Sequence, residues 1–238
     1  SDKGAIHFSY GHFFQIPNFQ YLYENSDYFI RIGSSSLSDI VGNPDLRAEK
    51  TINYEVGLQQ VIFPNVVFDF TVYYRNIRDL LSMEIISTYE GTRYARYINQ
   101  DYGNVKGMIL TLEKTFSDYF GMKLDYTYQF ARGNSSDPQA VFNYNQSNPP
   151  VEAPKQVVPL NWDQRHTFNL SANFGQPGDW NVGFIFKYGS GLPYTEDARY
   201  TSGLNLINQG TRPSTYMLDL RAEKFFDLGP IKVNTFLM

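Results

Sequence analysis

Three histidines are the residues best suited to metal or acid–base chemistry in this 238-residue sequence, which contains no cysteine. Neutral imidazole is the commonest protein ligand for metals and titrates near neutral pH. His7 and His12 are five residues apart, so on a strand they point to opposite faces, and His166 is remote in sequence. The spacing matches no metal-ligand pattern, and the lack of cysteine excludes Cys-type zinc sites, thiol chemistry and disulfides. We expect no metal site and no cofactor.

The segment DQRH contains a possible acid–base pair, Asp163 and His166. Nucleophilic catalysis would also need an activated serine or a similar group held next to the histidine, and no motif specifies one. We interpret DQRH as the polar start of a strand at a rim, with His166 at an interface. The sequence therefore predicts no catalytic residue and no enzymatic activity.

A second charged group occupies alternate positions near the C-terminal end, where Asp219, Arg221 and Glu223 alternate in sign. Alternate positions on a strand share one face. A structural ladder of charges is favoured over direct ligand contact. No phosphate-binding loop pattern occurs nearby, in TRPSTY at 211–216 or SGLNLINQG at 202–210.

Period-2 alternation of uncharged and polar residues predicts the strands that would hold these groups. Six segments show it most clearly. Their uncharged faces carry Ile52 to Leu58, Val66 to Tyr74, Met122 to Phe130, His166 to Phe174, Trp180 to Tyr188 and Tyr216 to Ala222, taking every second residue. None of these positions holds Asp, Glu, Lys or Arg, whereas the intervening positions hold ions such as Glu55, Asp69, Lys123, Asp125 and Lys187. One side of each strand therefore faces an environment that excludes charge, which is either lipid or a protein core.

The connections distinguish these two environments. Predicted strands fall near 3–14, 50–62, 66–79, 93–116, 121–133, 161–174, 180–190, 212–226 and 230–238. Short turns at 63–65, 117–120, 175–179 and 227–230 alternate with long loops at 15–49, 80–92, 134–160 and 191–211. An up-and-down membrane barrel has this rhythm, with short periplasmic turns and long external loops, whereas a Greek-key sandwich does not. Lys106 and Lys114 flank an apolar stripe on one strand, as lysines that reach headgroups would.

Other classes are excluded by composition. No apolar run reaches the ~18 residues of a transmembrane helix, and a net charge of −4 without a basic cluster gives no footprint for nucleic acid. The fold class is therefore all-β, an antiparallel up-and-down transmembrane β-barrel. Because nine strands is an odd number, we expect residues 1–238 to form a portion of one barrel domain, closed by further strands.

Several segments, in order, resemble the TonB-dependent receptor family. They are SYGHFFQIPN at 9–18, NPDLRAEKTINYEVGL at 43–58, FDFTVYYRNIRDLL at 68–81, YINQDYGNVKG at 97–107, DQRHTFNLSANF at 163–174 and YGSGLPYT at 188–195. The family often has Glu two residues after the glycine of the fourth segment, where this chain has Ile109. Any role of that carboxylate in the family is therefore not carried over to this chain.

The resemblance implies a plugged barrel of about 22 strands in the Gram-negative outer membrane. This chain would be its later part, without the plug or the final strands. Such receptors import large ligands with energy from the TonB complex, which acts through the plug, and some work with a surface lipoprotein. Asp219, Arg221 and Glu223 would then face the plug, and Tyr194, Arg199 and Tyr200 in a long loop are candidate ligand contacts. A structural barrel component without import activity is the alternative, followed by a barrel enzyme and a soluble carbohydrate-binding sandwich.

Overall fold

A computed structural model describes residues 4–27, 37, 39–134, 137–146, 156–195, 207–229 and 231–237. Two short helices, α1 (Phe19–Tyr23) and α2 (Ala140–Gln146), accompany the strands. The strands are β1 (Gly4–Gln15), β2 (Ile40–Val41), β3 (Glu49–Phe63), β4 (Val66–Ser87), β5 (Arg93–Ser117), β6 (Phe120–Gly133), β7 (Val158–Pro159), β8 (His166–Gln176), β9 (Trp180–Gly189), β10 (Pro193–Tyr194), β11 (Gly210–Thr211), β12 (Thr215–Asp227) and β13 (Lys232–Leu237).

One sheet contains all the long strands. Its path is β1-β3-β4-β5-β6-β8-β9-β12-β13, and every neighbouring pair on that path is antiparallel. Off this path, β2 pairs in parallel with β5 and β7 pairs antiparallel with β6, and β10 pairs with β11 in a separate two-stranded sheet. Apart from β2, β7, β10 and β11, the strands are sequence neighbours, which is the predicted up-and-down order. The prediction of nine long strands is confirmed within the described ranges.

The cross-strand register joins the predicted uncharged faces into one continuous surface. Tyr54 lies opposite Tyr74, and Leu58 opposite Phe70. The same parity continues across the sheet through Leu112–Leu124, Leu124–Leu170, Leu170–Phe186 and Phe186–Leu218. Because a shift of one residue would turn a whole strand over, this agreement at every pair is the main confirmation of the alternation argument. We call this surface the uncharged face.

No second layer covers the uncharged face in the part of the chain that the structure describes. Val56, Leu58 and Val72 are 45%, 43% and 44% exposed, although they lie in the middle of their strands. Apart from Ala172, the buried hydrophobic side chains among the described residues lie elsewhere. Tyr73, Val105 and Ala131 pack with Leu160 on the opposite face, which we call the polar face. A sandwich would bury the uncharged face between two sheets, so the structure favours the barrel wall.

The predicted loop at 80–92 is wrong. β4 continues to Ser87 and β5 begins at Arg93, so only five residues connect them. The ladder shifts register between Ile77 and Leu81, and Asp79 has φ 60°. This irregularity breaks the alternation that marks a strand, because a bulged residue falls out of phase with its neighbours. The β4–β5 hairpin therefore extends beyond the strands on either side of it. The pairing of β3 with β4 ends at Arg78, and the pairing of β6 with β5 ends at Gly103.

The extension of this hairpin carries a second small core. Met83, Ala95 and Tyr97 are buried there with Leu37. Side chains from α1, β2 and α2 pack against them, among them Tyr21, Ile40, Val141 and Phe142. Both helices lie in segments that the sequence predicted as loops. α1 begins after Asn18, whose Oδ1 accepts from the Gln20 amide at 3.1 Å. Within the described ranges, neither helix has the length or apolar character to cross a bilayer.

Candidate functional site

Aromatic side chains form a row across the sheet near the end that carries the long connections, which we call the long-loop end. Tyr10, Tyr54 and Tyr74 are successive cross-strand partners, and the row continues through Lys106 to Phe130. The ring centroids of Tyr10 and Tyr54 are 5.1 Å apart, and those of Tyr54 and Tyr74 are 6.4 Å apart. Aromatic girdles of this kind lie at the membrane interfaces of transmembrane barrels.

Cations bound the uncharged face at both ends. Lys106 and Lys114 stand eight residues apart on β5, with Met108, Leu110 and Leu112 on the same face between them. At about 3.3 Å per residue the separation is roughly 26 Å along the strand, or about 20 Å along the membrane normal for a tilt of about 40°. Flexible lysines extend that span toward the ~25 Å of an outer-membrane apolar band. Headgroup contact by the two lysines stays a prediction, and Lys114 Nζ donates to the Ser117 and Phe120 carbonyls of the adjoining turn.

The opposite face is polar and hydrogen-bonded. Tyr73 Oη donates to Gln129 Oε1 at 2.9 Å, and its ring lies against the backbone of Gly107. Thr111 Oγ1 donates to Asp125 Oδ1 at 2.7 Å. His7 also lies on this face, 3.3 Å from Thr71 Oγ1. Such a surface is typical of the lumen wall of a barrel.

The predicted charge ladder lies on the polar face. Arg221 forms an ion pair with Glu223, and its guanidinium carbon is 5.9 Å from the centroid of the Phe236 ring. Asp219 lies opposite Ile185 of β9. All three alternate with Leu218 and Leu220, which are on the uncharged face. Among the described residues Arg221 and Glu223 contact each other but no ion pair joins Asp219 to them, so a structural role for the whole ladder stays a prediction.

A cavity of ≈ 620 Å³ lies at the long-loop end, between the segment that leads into β8 and the two arms of the connection from β9 to β12. Its wall includes Arg132, Asp163, Arg165, His166 and Asn208. Asn208 Nδ2 donates to the Pro159 carbonyl at 2.8 Å and holds the arm that carries β11 against β7. The wall of the cavity therefore mixes polar and apolar residues, and it includes two arginines.

Asp163 organises the floor of this cavity. Its side chain is fully buried. Oδ1 accepts from the Ala131 amide at 2.8 Å, and Oδ2 accepts from Arg165 Nε and Nη2 at 3.1 and 3.0 Å. The Arg165 guanidinium in turn lies 4.2 Å from the centroid of the Phe130 ring. Asp163 therefore fixes both the end of β6 and the direction of the arginine.

His166 packs among aromatic side chains at the start of β8, and its predicted position at an interface stays a prediction. Its Nδ1 is 2.8 Å from Tyr126 Oη, and its ring lies 5.0 Å from that of Tyr128. Asp163 does not contact it, because the carboxylate is occupied by Arg165 and the Ala131 amide. His7 and His12 lie on opposite faces of β1. Among the residues described, no three His, Asp or Glu side chains converge to hold a metal ion.

The three predicted ligand contacts are only partly located. Tyr194 lies in β10 opposite Gly210, and its ring occupies the space that a Cβ at Gly210 would enter, 2.6 Å from Cε1. It is 36% exposed beside the cavity and is not part of its wall. Arg199 and Tyr200 lie outside the described residues, as does much of loop 134–160. Ligand contact by these three residues stays a prediction.

Tyr97 connects the extended hairpin to α1. Its Oη donates to Glu24 Oε2 at 3.0 Å, and its ring packs on Tyr21 at 4.9 Å. Tyr97 lies beyond the last partners of β3 and β6, outside the apolar band. Burial, with the nearby Glu24 carboxylate, raises the pKa of Tyr97 to about 12. The phenol therefore stays neutral and holds the tip together over the physiological range.

Sequence reasoning missed Arg132, Arg165 and Asn208 as site residues. All three flank segments of irregular structure, where neither period-2 nor helical periodicity applies. The Gly133 and Asn134 that follow Arg132 marked only the end of a strand. The one usable signal for Arg165 was its position two residues after Asp163, close enough for an ion pair.

These features define a class: one wall of a transmembrane β-barrel, with a lipid-compatible outer face, a polar lumen face and a structured long-loop rim. Comparison with known proteins gives the family. The model of the TonB dependent receptor-like β-barrel matches residues 1–234. This chain belongs to that family, and its location is the outer membrane of a Gram-negative bacterium. No curated protein matches the sequence.

Solved structures share the fold at low sequence identity. The outer membrane transporter YddB from Escherichia coli is 17% identical with a TM-score of 0.65, over 93% of this chain and 32% of that chain. A mutant of the ferric enterobactin receptor PfeA from Pseudomonas aeruginosa is 15% identical with a TM-score of 0.63, over 94% of this chain and 31% of that chain. The pyoverdine receptor FpvA from the same species is 12% identical with a TM-score of 0.58, over 94% of this chain and 28% of that chain. The chain thus spans about a third of the length of these structures.

Proposed function

We propose that this chain is a portion of the barrel of a TonB-dependent transporter that imports a large ligand or nutrient across the outer membrane. The observation that carries the proposal is the two-sided sheet. In the described strands, up to Arg78 on β4 and from Asn104 on β5, one face lacks acidic residues and is bounded by cations and aromatic rings, and the other is a hydrogen-bonded polar wall. A wall of this kind encloses a lumen that a ligand can cross, and family membership supports active import.

The division of the protein is part of the same proposal. Among the described strands, β1 and β13 stand at opposite ends of the sheet and do not pair with each other. Edges exposed to lipid would leave backbone groups without partners, at several kcal/mol each. We propose that further strands close the barrel around a plug, and that the plug contacts TonB. A surface lipoprotein is a possible partner at the long-loop end.

The ligand would first meet the long-loop end. The packed core around Met83 and Tyr97 gives the β4–β5 hairpin a defined shape there. The described arms of the connection to which Tyr194, Arg199 and Tyr200 belong contribute Gly191, Pro193, Ile207 and Thr211 to the cavity wall. Aromatic and guanidinium groups stack on planar or sugar-like ligands. The names of PfeA and FpvA, receptors for ferric enterobactin and pyoverdine, make ferric chelates a first class to test.

Uptake by the whole receptor tests this function. A strain that lacks the receptor gene is compared with the same strain complemented by that gene. The assay measures depletion of ferric chelates, cobalamin, glycans and peptides from defined medium, with and without an uncoupler. Import predicts that one ligand class is depleted only in the complemented strain, and that the uncoupler abolishes this depletion.

The structural alternative predicts a different result. If the chain is part of an assembly without import activity, deletion leaves all depletion rates unchanged and alters the recovery of other outer-membrane proteins from native membranes. That outcome would overturn the import proposal. Recovery of a plug domain on the same polypeptide favours the transporter.

A further inference from the structure

The charged side chains at the two ends of the uncharged face are all cationic in the described strands. Over the described parts of the nine long strands, up to Arg78 on β4 and from Asn104 on β5, the cross-strand positions of this face hold no Asp or Glu. The charged side chains there are Lys50, Arg78, Lys106, Lys114, Arg132 and Lys224. The polar face of the same strands mixes both signs. A one-sided charge pattern indicates an anionic environment against that face alone.

The two ends of the face differ in how their cations are used. At the short-turn end, Lys114 Nζ donates to the Ser117 carbonyl at 2.9 Å and to the Phe120 carbonyl at 2.8 Å, and Lys224 forms an ion pair with Asp179. At the long-loop end, Lys106 and Arg132 are exposed. Within the described part of the chain, neither makes a hydrogen bond or an ion pair.

The two unpaired cations are neighbours of Phe130 in the β5–β6 register. Lys106 is the direct cross-strand partner of Phe130, and Arg132 lies two residues beyond it on the same face. Arg165 approaches the same ring at 4.2 Å and is held in place by Asp163. Asp163 balances the charge of Arg165, so the net positive charge comes from Lys106 and Arg132. Arg165 contributes fixed donors.

We propose that Lys106, Arg132 and Arg165 around Phe130 form a binding site for the phosphate groups of the anionic glycolipid in the outer leaflet. The aromatic row places the three side chains at interface height, and the long-loop end is the external end in barrels of this kind. Arg and Lys are the residues that bind phosphate, Arg with two parallel donors and Lys as a point charge. The adjoining cavity, lined by Arg132 and Arg165, provides room for the headgroup.

The surroundings of the three cations favour a lipid over a soluble phosphate. Phe130 is part of a cluster with Tyr128 and His166, at ring distances of 5.0 Å in each case. This apolar surface would contact the sugar and the first acyl carbons, while the cations contact the phosphates. A soluble phosphate would gain only the second interaction, so we assign the site to a lipid.

Binding of lipid A to the whole receptor tests the site. Native mass spectrometry of the receptor in detergent would measure the affinity for bis-phosphorylated lipid A and for its fully dephosphorylated form. The variant is Lys106→Gln with Arg132→Gln. The matched control is Lys187→Gln, which removes a lysine that is also exposed but lies on the polar face, opposite Met217. A cation near a lipid phosphate strengthens binding by about fivefold, so we expect the double variant to bind about 25-fold more weakly.

Two further measurements keep the result decisive. Mobility of unboiled samples on gels shows whether each variant is folded, and Lys106→Gln alone, at an exposed side chain, is expected to lose about fivefold. The proposal is overturned if the variants bind within twofold of the parent, if Lys187→Gln loses as much, or if dephosphorylated lipid A binds equally well. It is also overturned if the deacylated sugar phosphate binds as tightly as lipid A, which would indicate a site for soluble phosphate.

Discussion

A charge placed at the centre of the uncharged face should destabilise the receptor strongly. Leu110 lies four residues from Lys106 and four from Lys114 on β5, midway between the two ends of the apolar band. Its cross-strand partners are Phe70 and Tyr126. In a barrel wall this position is at the bilayer midplane, where Arg on the lipid face costs about 2–4 kcal/mol. Leu110→Arg should therefore lower the folding constant by roughly 30- to 1000-fold.

The neighbouring residue provides the control. Thr111 lies on the polar face at nearly the same depth, and its Oγ1 contacts Asp125 Oδ1 at 2.7 Å. An Arg side chain at position 111 would pair with the Asp125 carboxylate and would not contact lipid. We expect Thr111→Arg to change the unfolding free energy by less than about 1 kcal/mol, since the lost hydrogen bond is offset by a new ion pair.

Equilibrium unfolding of the receptor in lipid vesicles, followed by tryptophan fluorescence across a guanidinium titration, measures both effects. The reasoning is refuted if the two substitutions cost the same, or if Thr111→Arg costs more. In either case the uncharged face would not be in contact with hydrocarbon.

Three further predictions concern local structure. Asp163→Ala should lower the unfolding free energy by about 1–3 kcal/mol in the same titration, because an amide and Arg165 lose their acceptor; Asp163→Asn, which keeps one acceptor, should cost less. Gly107→Ala should cost about 1–3 kcal/mol because its Cβ would lie 2.5 Å from a backbone carbonyl, whereas Gly183→Ala should be nearly neutral, and equal effects would contradict the close packing. Tyr97 should show no phenolate absorbance until the pH nears 12. Because the pKa of Tyr97 is raised above the unfolded value of about 10, its contribution to stability is full below pH 10 and lost toward pH 12. Tyr97→Phe should therefore reduce the fall of the unfolding free energy between pH 10 and pH 12. An unchanged fall would exclude Tyr97 as its cause.

The fold could be predicted from the sequence wherever the period-2 alternation continues without interruption. The stripes from Ile52 to Leu58 and from Met122 to Phe130 predicted both strand and face, because a lipid environment excludes charge at every second residue. The prediction failed at 80–92, where the irregularity near Asp79 interrupts the pattern while the ladder continues. A local pattern cannot show that two strands remain paired across a bulge.

The candidate site was less accessible, because it depends on register. Lys106 and Arg132 are distant in sequence, and only the β5–β6 pairing brings both of them next to Phe130. Asp163 looked like a polar residue at the start of a strand, but its carboxylate is buried by contacts with the Ala131 amide and with Arg165. Charge sign on one face, compared across all strands, is the signal that would have indicated the cation cluster.

Accessibility along β5 in the reconstituted receptor tests the membrane orientation most directly. The chain contains no cysteine, so single cysteines at residues 107–113 can each carry a spin label in vesicles. Oxygen concentrates in hydrocarbon, whereas a water-soluble nickel chelate does not enter it. We predict high oxygen and low nickel collision rates at Met108, Leu110 and Leu112, and the reverse order at Ile109 and Thr111. Uniform rates at all positions, or oxygen maxima at the odd-numbered residues, would contradict a lipid-facing uncharged surface.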